Sequence, residues 1–295
     1  IVLVIFVTLL ILLFILWICL HFWKRKKGSE LSSMLRKDAD SVEVSGIESM
    51  RSNFESGVEK LQKANKNVYD LPWFLLAGQA GSGKTEAIRR SHAKEDFPPG
   101  LNDLMQGVGG TLNMNWWFTN KGIILDTAGR VFEEKVKAGK TSEWQEFLKI
   151  LKKARKNMPI NGFILTISAD SLIRDDFSVI EEKASHIAEQ ITLVQNVLGV
   201  RFPVFIMVTK SDFISGFREF VENITEPNLQ QQMLGWSNPN GLDEPFVPEQ
   251  VDEYLDDVIS KLKKRRLTYL LDPRAHADKR LDDLDALFTF PNELR

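Results

Sequence analysis

The sequence predicts an α/β fold with a mostly parallel sheet and helices on both faces, and three observations carry the prediction. Beyond Leu71-Pro72-Trp73, short apolar runs alternate with amphipathic stretches. The first apolar run, Phe74 to Ala77, ends on a glycine-rich turn that leads into a helix-compatible stretch. A later run, Ile123 to Leu125, ends on Asp126, a carboxylate at the end of a strand where open α/β sheets bind their ligands.

Taken in order, the chain opens with Ile1 to Trp23, almost entirely apolar apart from Thr8, Cys19 and His21. As a helix this run spans about 35 Å, enough to cross a hydrocarbon core. Trp17 and Trp23 suit the interfacial belt, and Lys24, Arg25, Lys26 and Lys27 follow at once. The basic cluster predicts a cytoplasmic exit and a folded domain on the cytoplasmic side of the membrane. A signal peptide would need positive charge before a shorter run and a small-residue cleavage site, and neither is present. The start at Ile1 rather than Met reads as a fragment or a processed chain. Residues 24–68 read as a basic juxtamembrane segment and a helical stalk, with Leu31, Leu35, Val58 and Leu61 on a weakly apolar face. Residues 69–242 read as the ligand-binding domain and 243–295 as a helical extension.

Within the domain, Trp116 to Phe118, the turn Thr119-Asn120-Lys121-Gly122 and Ile123 to Leu125 read as a hairpin. Glu143 to Asn157 carries Trp144, Phe147, Leu148 and Leu151 on one helical face. Phe163 to Ile167 reads as a strand, and Ile180 to Leu198 as a long helix. Pro203 opens a run, Val204 to Val208, whose unbroken apolar character predicts a buried strand. Val251 to Leu271 reads as a charged, amphipathic helix. The basic runs Lys152, Lys153, Arg155, Lys156 and Lys261, Lys263, Lys264, Arg265, Arg266 read as solvated helix faces, with anionic lipid headgroups as the alternative partner.

Gly78-Gln79-Ala80-Gly81-Ser82-Gly83-Lys84-Thr85 matches G-x-x-x-x-G-K-[ST], the phosphate loop of P-loop NTPases. Gly78, Gly81 and Gly83 permit backbone angles that a side chain forbids, so that the N–H groups of the loop, Ser82 included, can turn inward around anionic oxygens. Lys84 supplies a charge to the β and γ phosphates, and Thr85 a hydroxyl to Mg²⁺. Asp126-Thr127-Ala128-Gly129 is a D-x-x-G turn: Asp126 suits the Mg²⁺ shell, and the Gly129 N–H suits a γ-phosphate. Thr111, after Gly107-Val108-Gly109-Gly110, is a candidate to complete that shell. Thr209-Lys210-Ser211-Asp212 closes a strand as T-K-x-D. A carboxylate at Asp212 can accept both N1–H and N2–H₂ of guanine, whereas adenine offers a lone pair there. The stem of Lys210 can cover the base. These motifs predict a small-GTPase-like P-loop domain that binds GTP, or ATP, with Mg²⁺. GTPases that hydrolyse efficiently often hold a glutamine after the D-x-x-G glycine. Here that residue is Arg130, which can steady γ-phosphate charge or pair with a surface acid, but cannot accept a hydrogen bond from water. Slow or partner-dependent hydrolysis is the expectation.

Leu71-Pro72-Trp73-Phe74-Leu75, Asn115-Trp116-Trp117-Phe118-Thr119 leading to Leu125-Asp126-Thr127-Ala128-Gly129-Arg130, Asn161-Gly162, Val208-Thr209-Lys210-Ser211-Asp212 with Gly216-Phe217, and the closing Phe288-Thr289-Phe290-Pro291 together resemble the IcmF/TssM family. That family is the inner-membrane core component of type VI secretion systems, and a type IVB secretion homologue is a neighbouring possibility. The resemblance implies a bacterial inner-membrane location, partnership with an outer-membrane lipoprotein and a second inner-membrane component, and docking of a baseplate on the cytoplasmic side. It also implies a further membrane helix and a large periplasmic region beyond this chain. Leu234 to Pro239 departs from the family pattern. Two other functions stay open beside a nucleotide switch: an ATPase that energises assembly, and a scaffold with a vestigial nucleotide site.

Composition bounds the remaining classes. The formal net charge is -2, so no basic field points to nucleic acid. Cys19 is the only cysteine, which excludes an intrachain disulfide framework. His21, His92, His186 and His276 lack metal-ligand spacing.

Overall fold

The computed structural model describes residues 44–91, 114–119, 121–133, 142–230, 232–271 and 280–295. The expected membrane helix, its basic cluster and Thr111 lie outside the described residues. Among the described residues, no helix is long and apolar enough to cross a membrane.

The elements run in chain order as α1 (Val44–Lys63), β1 (Trp73–Gly78), α2 (Lys84–Arg90), β2 (Met114–Phe118), β3 (Ile123–Thr127), α3 (Gly129–Glu133), α4 (Glu143–Ala154) and β4 (Gly162–Ser168). They continue as α5 (Ala169–Arg174), α6 (Phe177–Leu198), β5 (Val204–Thr209), a 3₁₀ turn (Ser211–Phe213), α7 (Phe217–Val221), α8 (Pro227–Gln230), α9 (Glu249–Leu271) and α10 (Leu281–Glu293). The five strands form one mostly parallel sheet in the order β2-β3-β1-β4-β5. β1 and β3 are parallel, with Leu76 opposite Asp126, and β2 and β3 form the expected antiparallel hairpin.

The described residues divide into two compact units, one of those up to 165 together with 185–205, the other of those in 166–184 and from 206 onward. The first unit has an aromatic core. Trp73 and Trp116 meet edge-on with centroids 5.1 Å apart, and Phe54 packs 5.2 Å from Trp116. Phe132, Trp144, Phe147 and Phe163 extend the same cluster. Phe54 belongs to α1, whose buried stripe Met50, Phe54, Val58 and Leu61 follows helical spacing. The described part of the expected stalk is therefore a core helix. Gly57 makes this possible, since a Cβ there would lie 2.1 Å from the Trp116 ring.

Asn161 and Gly162 tie β4 to the start of β1. The Asn161 side chain accepts the Trp73 N–H at 2.9 Å, and its own N–H donates to the Trp73 carbonyl at 2.7 Å. A Cβ on Gly162 would lie 2.9 Å from both Phe74 and Phe205. Arg155 is buried rather than solvated. Its guanidinium lies over the rings of Tyr69 and Trp73 at 5.0 and 4.8 Å and donates to Asn161 at 3.1 Å. Burial pulls its pKa down to about 10.

The second unit has its own core of Phe220, Val258, Leu262, Tyr269, Leu287 and Phe290. α9 and α10 share this core with Phe220 of α7. Gly216 adopts a left-handed φ of 77°, and a Cβ there would lie 2.0 Å from the Ala286 carbonyl oxygen. Only glycine fits this approach. Arg266 is also buried, over the Phe288 ring at 4.3 Å and donating to the Phe288 carbonyl.

One expectation is corrected. The run Val204 to Val208 is a strand but is not buried: Ile206 is 65 % exposed, and Val204, Phe205 and Val208 are also exposed. β5 ends the strand order, so it has one neighbouring strand instead of two. Along it only Thr209 is buried. An apolar run signals burial only where other elements cover it.

Candidate phosphate site

β1 delivers the chain into the loop at Gly78, and register brings β3 alongside it. Because Leu76 pairs with Asp126, the end of β3 lies beside the start of the loop. The Thr127 hydroxyl donates to the Leu76 carbonyl at 2.9 Å and fixes that alignment. Gly78, Gly81 and Gly83 have φ of 151°, 74° and 81°, all in the region that favours glycine. Ser82 N–H donates back to the Gln79 carbonyl at 3.2 Å and closes the turn.

Lys84 is only 6 % exposed. Its ammonium donates to the carbonyls of Gly78 and Gln79 at 2.9 and 2.8 Å and contacts Ser82 Oγ at 3.5 Å. The loop therefore wraps the cation with its own oxygens. Burial lowers the Lys84 pKa, and the nearby charges of Asp126 and Glu133 oppose that shift.

Thr85 Oγ1 donates to Asp126 Oδ2 at 2.7 Å. Asp126 is fully buried, and the Trp117 indole also donates to it at 3.4 Å. Trp117 reaches it because β2 pairs antiparallel with β3 and sets Trp117 opposite Ile124, two positions before Asp126. A hydroxyl and a carboxylate at this spacing are the hard oxygen donors that Mg²⁺ prefers.

Gly129 opens α3 directly against the loop. A Cβ there would lie 2.3 Å from Ala80 N, 2.4 Å from Ala80 Cα and 2.7 Å from the Gln79 carbonyl carbon. These are backbone atoms that cannot swing aside, so the D-x-x-G glycine is required by contact with the glycine-rich loop itself. Arg130 forms an ion pair with Glu143 at 3.0 Å, the surface pairing that was one of its two expected roles. Glu143 is the first residue of α4, which Ser142 caps by accepting the Gln145 N–H at 3.1 Å.

The first unit thus brings together Gly78, Gly81, Ser82, Gly83, Lys84, Thr85, Asp126 and Gly129. Lys210 and Asp212 belong to the second unit. Lys210 has a left-handed φ of 53°, and its ammonium lies 3.3 Å from Asp170. Hydrogen bonds from Ser168 and then Lys210 hold the Asp170 carboxyl below its usual range. Asp212 is half-exposed and 4.0 Å from Arg218.

Sequence reasoning missed three participants: Trp117, Asp170 and Glu133. Asp170 carries a signal, since it closely follows the end of β4 as Asp212 follows the end of β5. Glu133 is an acid one helical turn beyond Arg130, and its Oε1 accepts the Ala80 N–H at 3.0 Å.

Residues 137–295 match the family described as the IcmF-related N-terminal domain. The chain is also 32 % identical over 278 residues to the type VI secretion system component TssM1 of Pseudomonas aeruginosa. That alignment covers 89 % of this chain, and the chain spans 24 % of the length of TssM1. With the family match extending over more than half of its residues, this chain belongs to the IcmF-related family, IcmF/TssM.

Proposed function

We propose that the chain is the nucleotide-binding part of a membrane-anchored switch in a type VI secretion complex, with GTP favoured over ATP and slow, partner-dependent hydrolysis. The observation that carries this reading is the Thr85–Asp126 hydrogen bond of 2.7 Å beneath a glycine-rich loop that enfolds Lys84. A turn without a ligand has no need of a buried cation, a buried carboxylate and a hydroxyl converging beneath it.

Thr85 and Asp126 would hold Mg²⁺, which would neutralise phosphate charge there. Lys84 would exchange a loop carbonyl for a phosphate oxygen, a small motion because the ammonium already lies within the loop. Arg130 would have to leave Glu143 to meet γ-phosphate charge, and it offers no acceptor to orient water. Both facts favour slow turnover. Asp212, half-exposed at the end of its strand, would read the paired donors of guanine beside the stem of Lys210. Membership of a secretion machine extends from the name of TssM1 and from the family. The partners would be an outer-membrane lipoprotein, a second inner-membrane component and a cytoplasmic baseplate.

The test is competition of unlabelled GTP and ATP against fluorescent GTP with Mg²⁺, using the 295-residue chain in mild detergent. GTP is expected to displace the probe better than ATP. Lys84→Ala should weaken binding by about ten-fold or more, and Asp212→Ala should erase the base preference. An ATP preference would replace the switch by an assembly ATPase. No binding with Lys84 intact would leave a scaffold.

A further inference from the structure

Glu133 ends α3, and its carboxylate accepts the N–H of Ala80, the third residue of the phosphate loop, at 3.0 Å. That N–H belongs to the stretch whose main-chain donors make the phosphate cradle. The acid does not hang on a loose tether. Val131 and Phe132, just before it, are buried in the core of the first unit. Phe132 meets Trp144 edge-on at 5.9 Å, and its carbonyl lies 3.3 Å from His186 Nε2. At the other end of the same turn, Gly129 is pressed against the Ala80 backbone. α3 is thereby held at both ends, and it presents Glu133 to the loop.

We propose that Glu133 is an internal anion of the phosphate loop, which an incoming phosphate must displace and which therefore sets the affinity of the site. The inference rests on the nucleotide reading above. An amide hydrogen bond to a carboxylate is charge-assisted and stronger than one to a neutral acceptor. One N–H cannot serve two anions in full, and two negative charges at hydrogen-bonding distance from one donor repel each other. The carboxylate keeps the cradle satisfied without ligand and penalises every phosphate that enters.

The experiment measures equilibrium binding of fluorescent GTP with Mg²⁺ to the 295-residue chain and to Glu133→Ala, Glu133→Gln and Lys84→Ala. Hydrogen exchange of the loop amides is followed in parallel. Glu133→Ala is expected to bind about ten-fold tighter than the unaltered chain. Glu133→Gln should fall between them, because its amide oxygen still accepts the N–H but carries no charge. Without nucleotide, Ala80 should exchange faster in Glu133→Ala. Glu133→Gln is nearly isosteric, so it decides the matter if the alanine variant fails to fold. Binding by Glu133→Ala alone, with none by the unaltered chain, supports the internal anion and leaves the unaltered chain as the scaffold described above. Equal or weaker binding by both Glu133 variants, with the unaltered chain binding well, overturns the internal anion and leaves the nucleotide site standing. Failure of every form to bind overturns both.

Discussion

Lys84 holds its charge in a place that disfavours it. Desolvation lowers its pKa from the ordinary 10.5, so the folded chain releases the proton at a lower pH than the unfolded chain does. Between those two values the unfolded chain binds more protons, and stability rises with pH across the window. Below the folded-state pKa the penalty for the buried ammonium is fully present, and it disappears as pH climbs toward 10.5. Lys84→Met has no such group. Urea denaturation from pH 7 to 10.5 should show the unaltered chain gaining on Lys84→Met, with a slope of at most about 1.4 kcal/mol per pH unit. A constant difference across that range would mean that the loop carbonyls compensate the charge fully. The identities of Lys84, Thr85, Asp126 and Gly129 were legible in the sequence because each motif position has a chemical requirement. The Glu133 contact was not, since one acid in a short helix carries no periodic signal. Only the seating of Gly129 on Ala80 brings it to the loop.

At the scale of elements, periodicity revealed what lies where, but not always what covers it. The hairpin, the long helix to Leu198 and the strands around the site follow from alternation and turn chemistry. In the sequence α1 reads as part of a stalk because its polar residues dominate, and four buried positions in one stripe are a weak signal. What seats it is the close approach of Gly57 to the Trp116 ring, a tertiary fact with no local trace. β5 fails in the opposite direction, since its apolar run reads as core yet Ile206 is 65 % exposed. The two readings of β5 give different outcomes for Ile206→Lys. A buried position would lose several kcal/mol through an unpaired interior charge. An exposed edge accepts lysine, and natural edge strands use it to prevent pairing with other chains. Thermal and urea denaturation should place Ile206→Lys within about 0.5 kcal/mol of the unaltered chain. A drop of several kcal/mol would show that this strand is covered.

At the scale of the whole molecule, sequence order and compact units do not coincide. Residues 166–184 join 206–295, while residues 185–205 return to the first unit. No linker composition announces this division, because the chain changes units inside β4, α6 and β5 rather than at a Gly- or Pro-rich joint. The membrane attachment is the opposite case, read from composition alone. Ile1 to Trp23 carries no formal charge and is followed by four basic residues, which suits a span with a cytoplasmic exit. The described residues offer no competing span. An anchor of this kind would rest on those first residues. Expressed in bacteria, the 295-residue chain should stay with the membrane pellet through alkaline carbonate washing, which strips proteins held by charge alone. A chain beginning at Ser29 should move to the supernatant and still show a cooperative thermal transition, because both described cores lie downstream of residue 43. If the shortened chain also resists carbonate, a surface outside the first segment holds the membrane. The exposed apolar side chains of β5 would then be the first place to look.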